Sequence, residues 1–207
     1  MSHDNIKEII ATFLKVDIRD VNSNTQIDNK AIQGSILVHR MYSELKKNGY
    51  EVNNPGEIKT FGDLEKELLG LDSLGNINIE EGKIEKSINQ ISESSIKSNS
   101  NSNSNGIGID IESSANLPNT DNFIDEQFYI DNFSKSEIAY CSSKENPKSC
   151  FTGRFAAKEA IVKANKRFIN TKFSNIEVSV SENGQPIFDG MNISISHLKL
   201  DDVDFSA

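Results

Sequence analysis

GIGIDIE at residues 106–112 and TGRFAAKEAIVKA at residues 152–164 decide the reading of this 207-residue chain. In the first, Ile107, Ile109 and Ile111 alternate with Gly108, Asp110 and Glu112, which predicts a strand with one apolar face and two carboxylates on the other. The second lies within residues 148–166, which hold no Pro and one Gly and predict a long helix. Glu159 and Lys163 are four residues apart and so meet on one helix face. They stand among Phe155, Ala156, Ala157 and Ala160, small residues for the most part, which let another backbone come close. Taken separately, a solvated strand edge and a surface ion pair account for these side chains. Taken together, three acidic groups and a lysine suit a hard cation such as Mg2+ held beside a phosphate. Spacing by itself does not bring Asp110 and Glu159 into contact.

Around these motifs the pattern is mixed. Ile176–Val180 and Asn192–Ser196 alternate as strands, with Glu182-Asn183-Gly184 as a turn between them. Residues 106–207 therefore predict an α+β domain. Upstream, residues 98–105 read SNSNSNSN, with no apolar side chain to repay the entropy of ordering, so residues 76–105 are read as a linker. Ile77, Ile79, Ile84, Ile88 and Ile91 add at most a short helix or strand there. Residues 1–75 predict a small all-α bundle. Ile6, Ile9, Ile10, Phe13 and Leu14 make one stripe on a first helix, and Ile36, Leu37, Met41 and Leu45 make one on a second, from Ser35 to Lys47. Thr60 opens a last helix as its N-cap. The fold class is thus two domains, one helical and one α+β.

Composition excludes several functions. A net charge of −9 and a pI near 4.9 argue against nucleic-acid binding, which needs a basic face. No run approaches the ~18 apolar residues of a membrane span, and MSHDNIKEII lacks the basic-then-apolar order of a secretory signal. Two Cys and no Trp predict neither a disulfide framework nor a zinc site, with Cys141 and Cys150 as structural residues of a cytoplasmic protein.

GIGIDIE, FSKSEIAYC at 133–141, TGRFAAKEAIVKA and SISH at 194–197 occur in this order and at similar spacing in 4′-phosphopantetheinyl transferases. The chain resembles the small holo-acyl-carrier-protein synthase class over nearly all of 106–200. The resemblance implies transfer of the 4′-phosphopantetheine arm of coenzyme A to a carrier-protein serine, with release of 3′,5′-ADP, in pathways such as fatty acid or polyketide synthesis. By similarity, Asp110 and Glu159 bind Mg2+ and Glu112 is a third ligand or holds a water. Lys163 contacts the phosphates and helps the serine lose its proton. Arg154, Ser196 and His197 lie near the 3′-phosphoadenosine end of coenzyme A, although a lone His near a strand end is commonly only a polar surface residue. The resemblance also implies a homotrimer. After SISH the chain departs from the family, running from Leu198 to Ala207 with Asp201, Asp202 and Asp204.

Residues 1–72 resemble an acyl carrier protein in helix pattern, in length and in the TFGDLEKEL ending. A carrier's acceptor serine opens its second helix, normally within Asp-Ser-Leu. Here that position reads Gly34-Ser35-Ile36, so Ser35 is the candidate attachment site or else merely a helix N-cap. A literal Asp72-Ser73-Leu74 follows the segment that resembles the carrier's last helix and is read as a decoy.

Charge is −3 over residues 1–72 and −5 over residues 106–207. Carriers usually offer an acidic second helix to a basic transferase. Here residues 36–48 carry Arg40, Lys46 and Lys47 against Glu44, while 113–134 carry Asp121, Asp125, Glu126 and Asp131 with no Lys or Arg. Either the two halves are mutual partners with both signs exchanged, or the helical block is a docking module and the substrate is a separate apo carrier. The partner is thus an apo acyl carrier protein in cis or in trans. A ~20-residue tether spanning ~25 Å would hold the block at roughly millimolar effective concentration. A coenzyme A-binding scaffold without turnover is the non-enzymatic alternative.

Overall fold

The computed structural model describes residues 3–69, 106–188, 190–200 and 203–207. Asp72-Ser73-Leu74 and the linker lie outside them.

Residues 3–69 fold around their own apolar cluster. Helix α1 (His3–Leu14) buries Ile6, Ile9 and Ile10 against Met41 and Leu45 of α3 (Ser35–Lys47) and against Phe61 and Leu64 of α4 (Phe61–Leu69). Thr60 caps α4 as its sequence predicts. Its Oγ1 accepts from the Asp63 N–H at 3.1 Å, and Asp63 Oδ2 accepts from the Thr60 N–H at 3.0 Å. Between α1 and α3 lies the one-turn α2 (Asn29–Ile32), whose N-cap Asp28 accepts from the N–H groups of Lys30 and Ala31.

Helix α3 has two buried faces. Val38, Met41 and Leu45 enter the N-terminal cluster, whereas Ile36 is fully buried in the second cluster, with Leu117, Phe128, Tyr129, Phe155 and Phe173. The sequence pattern put Ile36 on the same stripe as Met41. A helical wheel assumes one apolar partner, and α3 has two, so Ile36 belongs to the other. Burying an isoleucine contributes about 1.5–3 kcal/mol, which makes Ile36 a substantial anchor between the segments.

The C-terminal segment is organised on α7 (Pro147–Ala164), with α5 (Gln127–Asn132) and α6 (Lys135–Ser142) beside it. Three short strands make an antiparallel sheet of order β1-β5-β4: β1 is Glu112–Ser113, β4 His197–Leu200 and β5 Val203–Ser206. Glu112 pairs with Ser206 in register, and Ser206 pairs with His197. A separate hairpin joins β2 (Ser179–Val180) to β3 (Pro186–Ile187), with Gly184 at φ +81° in its turn.

Two sequence expectations change here. Residues 106–111 form no strand. They run as extended chain against α7, and Ile107, Ile109 and Ile111 stand 91, 72 and 66% exposed. The partner of 179–180 is 186–187 and not 192–196, because the turn at Ser181–Gln185 closes at once. The residues after SISH form β4 and β5, which complete the sheet on β1.

Cys141 and Cys150 are joined in a disulfide, contrary to the expectation of none. The short turn from α6 to α7 brings their Cα atoms to 5.4 Å, within bridging range. Among the described residues, no helix is long and apolar enough to cross a membrane.

Two charged side chains that the sequence did not single out fasten these helices. Lys158, in the AAKEA run, is fully buried, and its ammonium donates to Glu137 Oε2 at 2.6 Å, the Asn132 carbonyl at 2.7 Å and the Phe173 carbonyl at 2.9 Å. Glu137 closes the Ser134 capping box of α6 and accepts from the Val178 N–H at 3.0 Å. Burial pushes the Lys158 ammonium down to about 8, with Glu137 working against it. Removing one member of such a pair leaves an uncompensated charge in the core. Lys158→Met is expected to destabilise the chain by about 3 kcal/mol, measured by denaturant unfolding, and Lys158→Met/Glu137→Gln should recover part of that loss.

Candidate active site

The two glycines of GIGIDIE make the site possible. A Cβ on Gly106 would lie 2.4 Å from the Ala164 carbonyl oxygen, and one on Gly108 would lie 1.9 Å from the Ala160 oxygen. The extended chain therefore touches the backbone of α7 along the small residues Ala160 and Ala164. That approach sets Asp110 and Glu112 beside Glu159 and Lys163, which share a helix face. Lys163 Nζ donates to Asp110 Oδ1 at 2.6 Å. Asp110 thus meets Lys163 directly, and it stands close enough to Glu159 to act on its carboxylate electrostatically.

The carboxylates are crowded and largely dry. Glu112 is 5% exposed and Glu159 9%. Burial pushes the Glu112 carboxyl up to about 7, with Asp110 adding to the rise and the Ser35 hydroxyl opposing it. Burial likewise carries Glu159 to about 7, followed by repulsion from Asp110. Although burial acts in the opposite sense, the Asp110 contact holds the Lys163 ammonium above its ordinary value. Asp110 Oδ2 is buried with no hydrogen-bond partner among the described residues. Like charges packed this closely, with an orphaned oxygen among them, are the donor set that a hard divalent cation satisfies. Among the described residues, no group of three His, Cys, Asp or Glu is already arranged to hold a metal.

Ser35 enters the cluster from the N-terminal segment. It is the first residue of α3 and 8% exposed, and its hydroxyl donates to Glu112 Oε1 across 77 residues of sequence. It does not cap its own helix, whose N-cap is Gly34. Gly34 has a φ of +151°, which a residue with a Cβ adopts only under strain. A cavity of about 350 Å3 gathers Gly34, Ser35, Asp110, Glu112 and Lys163 along its walls.

One turn after Ser35, His39 is inserted between Phe155 and Phe173, with ring centroids at 5.1 and 4.5 Å. The Asn132 amide, fixed by donating to the Phe128 carbonyl at 2.7 Å, presents its Oδ1 to His39 Nδ1–H. Burial pushes the imidazole down to about 4, so it is neutral, and Nε2 faces Glu159 Oε1 at 3.8 Å. Sequence reading passed over His39 and Asn132. The only available signal was the i, i+4 spacing from Ser35.

The other candidates cluster at the opposite end of α7. Arg154 lies over the Tyr140 ring at 4.4 Å and donates to Cys150 Sγ at 3.0 Å, while its Nε is buried with no hydrogen-bond partner among the described residues. His197 bonds Ser206 Oγ at 2.8 Å and shares a cavity of about 320 Å3 with Arg154, Tyr140 and Lys144. Ser196 does not line it; its backbone pairs with Ala207. Gly153 admits the strand, since a Cβ there would sit 2.9 Å from His197 Cε1. From Arg154 to Lys163 is nine residues, about 13 Å along the helix axis.

Residues 106–203 match the 4′-phosphopantetheinyl transferase superfamily. The holo-[acyl-carrier-protein] synthase of Thermodesulfovibrio yellowstonii is 40% identical over 80 residues, 36% of this chain and 71% of that protein. That of Halothermothrix orenii is 42% identical over 62 residues, 30% of this chain and half of that protein. The fatty acid synthase subunit alpha of Penicillium patulum is 37% identical over 69 residues, 32% of this chain and 4% of that much longer protein.

Gly108→Ala should separate residues 106–111 from α7 at a cost of about 1–3 kcal/mol, the usual penalty of overpacking. Urea unfolding measures it, and an unchanged midpoint would contradict the backbone contact.

Proposed function

The chain belongs to the 4′-phosphopantetheinyl transferase superfamily, and from that premise we propose that it transfers the 4′-phosphopantetheine arm of coenzyme A to Ser35 of its own carrier-like segment. The observation that carries this reading is the Ser35 hydroxyl donating to Glu112 inside the carboxylate cluster. In the reaction, Ser35 Oγ forms the new bond to the pantetheine-bearing phosphorus, and the bond from that phosphorus to the leaving 3′,5′-ADP breaks. The Ser35 proton has an acceptor already in hydrogen-bond contact, Glu112. Lys163, half exposed and held by Asp110, is placed to contact the pyrophosphate. Buried among apolar rings, Ile36 and His39 fix the rotation of α3 and hence the aim of Ser35. Arg154 and His197 would hold the adenosine end, and Ser196 would support His197 through the strand.

Asp110 and Glu159 would hold Mg2+, with Glu112 at its edge; the orphaned Asp110 Oδ2 is the observation that fits it. When bound, the ion supplies charge neutralisation on the pyrophosphate.

Intact-mass measurement after incubation with coenzyme A and Mg2+ is expected to show one added phosphopantetheine, mapped to Ser35. Ser35→Ala and Glu159→Gln should each abolish it. An unchanged mass, or an arm that survives Ser35→Ala, would contradict the proposal.

The exposed stripe of Ile107, Ile109 and Ile111 supports the homotrimer that the family resemblance implies, because three exposed isoleucines in a row favour coverage by another chain. Sedimentation should give a mass of three chains, and Ile109→Lys should lower it to one. A parent chain that runs as a monomer with full transfer activity would overturn this assembly.

A further inference from the structure

The acidic stretch of the C-terminal segment meets the basic side of α3 group by group. Lys46 Nζ lies 2.5 Å from Asp131 Oδ1, and Ser43 Oγ donates to Asp131 Oδ2 at 3.1 Å. Lys47 Nζ lies 2.8 Å from Glu126 Oε1. Arg40 Nη1 donates to the Asn116 carbonyl at 2.8 Å. All three cations of α3 thus engage residues 113–134, which contain no Lys or Arg. The one acid of α3, Glu44, has its carboxylate turned to Asn48 and Lys47 on its own side. Gln127 Nε2 also donates to Asp131 Oδ1 at 2.9 Å, which fixes that carboxylate at the centre of the contact.

From this we infer that Glu126 and Asp131 form an acceptor-docking surface that selects a basic helix, the chain's own α3, and turns away carriers whose acceptor helix is acidic. The inference rests on the transfer reading above and names the partner class for that site. Lys46 and Asp131 are 41 and 21% exposed, so each pair adds little to affinity. What such pairs set is specificity and encounter: a carrier with Asp or Glu at positions 46 and 47 would place like charges against Glu126 and Asp131. The apolar contacts of Ile36 and His39 lie at the centre of the interface and the charged pairs at its rim, the arrangement in which rim charges choose the partner and buried groups hold it.

Charge exchange in the full-length chain tests this. Labelling at Ser35 with coenzyme A and Mg2+ is followed in time by intact mass at low salt. Lys46→Glu/Lys47→Glu and Glu126→Lys/Asp131→Lys are each expected to slow it about tenfold, and the fourfold exchange to restore it to within about twofold of the parent. The single-pair exchange Lys47→Glu/Glu126→Lys should show the same pattern more weakly and serves if the fourfold variant folds poorly. In a Ser35→Ala background, Glu126→Lys/Asp131→Lys should gain about tenfold toward an added carrier protein with an acidic acceptor helix. Equal rates across the set, or a fourfold exchange no faster than its parts, would overturn the inference while leaving transfer to Ser35 intact. A parent chain that takes up no arm would remove the transfer reading and this inference together.

Discussion

Everything at this site depends on how closely an extended backbone lies on a helix. Gly106 and Gly108 rest against the carbonyls of Ala164 and Ala160, where a methyl group would overlap an oxygen atom. Because the approach is backbone to backbone, the side chains two and four residues beyond Gly108 are delivered onto the Glu159–Lys163 face with little freedom. Four charged groups, from positions more than 40 residues apart, thereby share one small volume. The cost is electrostatic: burial first, and the neighbouring Asp110 carboxylate after it, raise the proton affinity of Glu112 and Glu159. Structural charge elsewhere on α7 is treated differently. Lys158 is matched by Glu137 and two carbonyls, whereas Asp110 keeps an oxygen with no partner among the described residues. A satisfied buried charge holds helices together; an unsatisfied one leaves a valence for a ligand.

Helix α3 converts that site into a relation between two segments. Its inner residues stabilise the N-terminal cluster, and its outer residues place Ser35, Ile36 and His39 among C-terminal side chains. A serine at the first position of a helix ordinarily turns back on its own backbone. Here Gly34 takes the cap position in a conformation suited to glycine, so the Ser35 hydroxyl is free to point outward.

Much of this was legible in the sequence, for reasons that differ by element. Helices α1 and α3 follow from apolar periodicity, and α7 from an uninterrupted helical composition, since these signals are local. Asp110, Glu112, Glu159 and Lys163 were identifiable as a set, but their meeting depends on the two glycines, and a glycine signals permission for close approach without naming its partner. The apolar alternation of 107–111 misled: those isoleucines are exposed, because the facing side is occupied by the helix backbone and needs no side chain at all. Lys158 and Glu137 were hidden by the rule that charges stay outside, and the disulfide by the rule that two cysteines make no framework. His39 was invisible because its partners, Phe155, Phe173 and Asn132, are more than 90 residues away. The charge exchange between residues 36–48 and 113–134 was countable from composition, whereas the pairing of Lys46 with Asp131 and Lys47 with Glu126 required coordinates.

Transfer to Ser35 requires that its hydroxyl lie within the carboxylate cluster when coenzyme A is bound. A crystal structure of the full-length Glu159→Gln chain, soaked with coenzyme A and Mg2+ so that the arm cannot move, tests it directly. Ser35 Oγ is expected in hydrogen-bond contact with Glu112 and in line with the pyrophosphate, with α3 seated on residues 113–134. Coenzyme A bound along α7 with α3 swung away and Ser35 in solvent would contradict it.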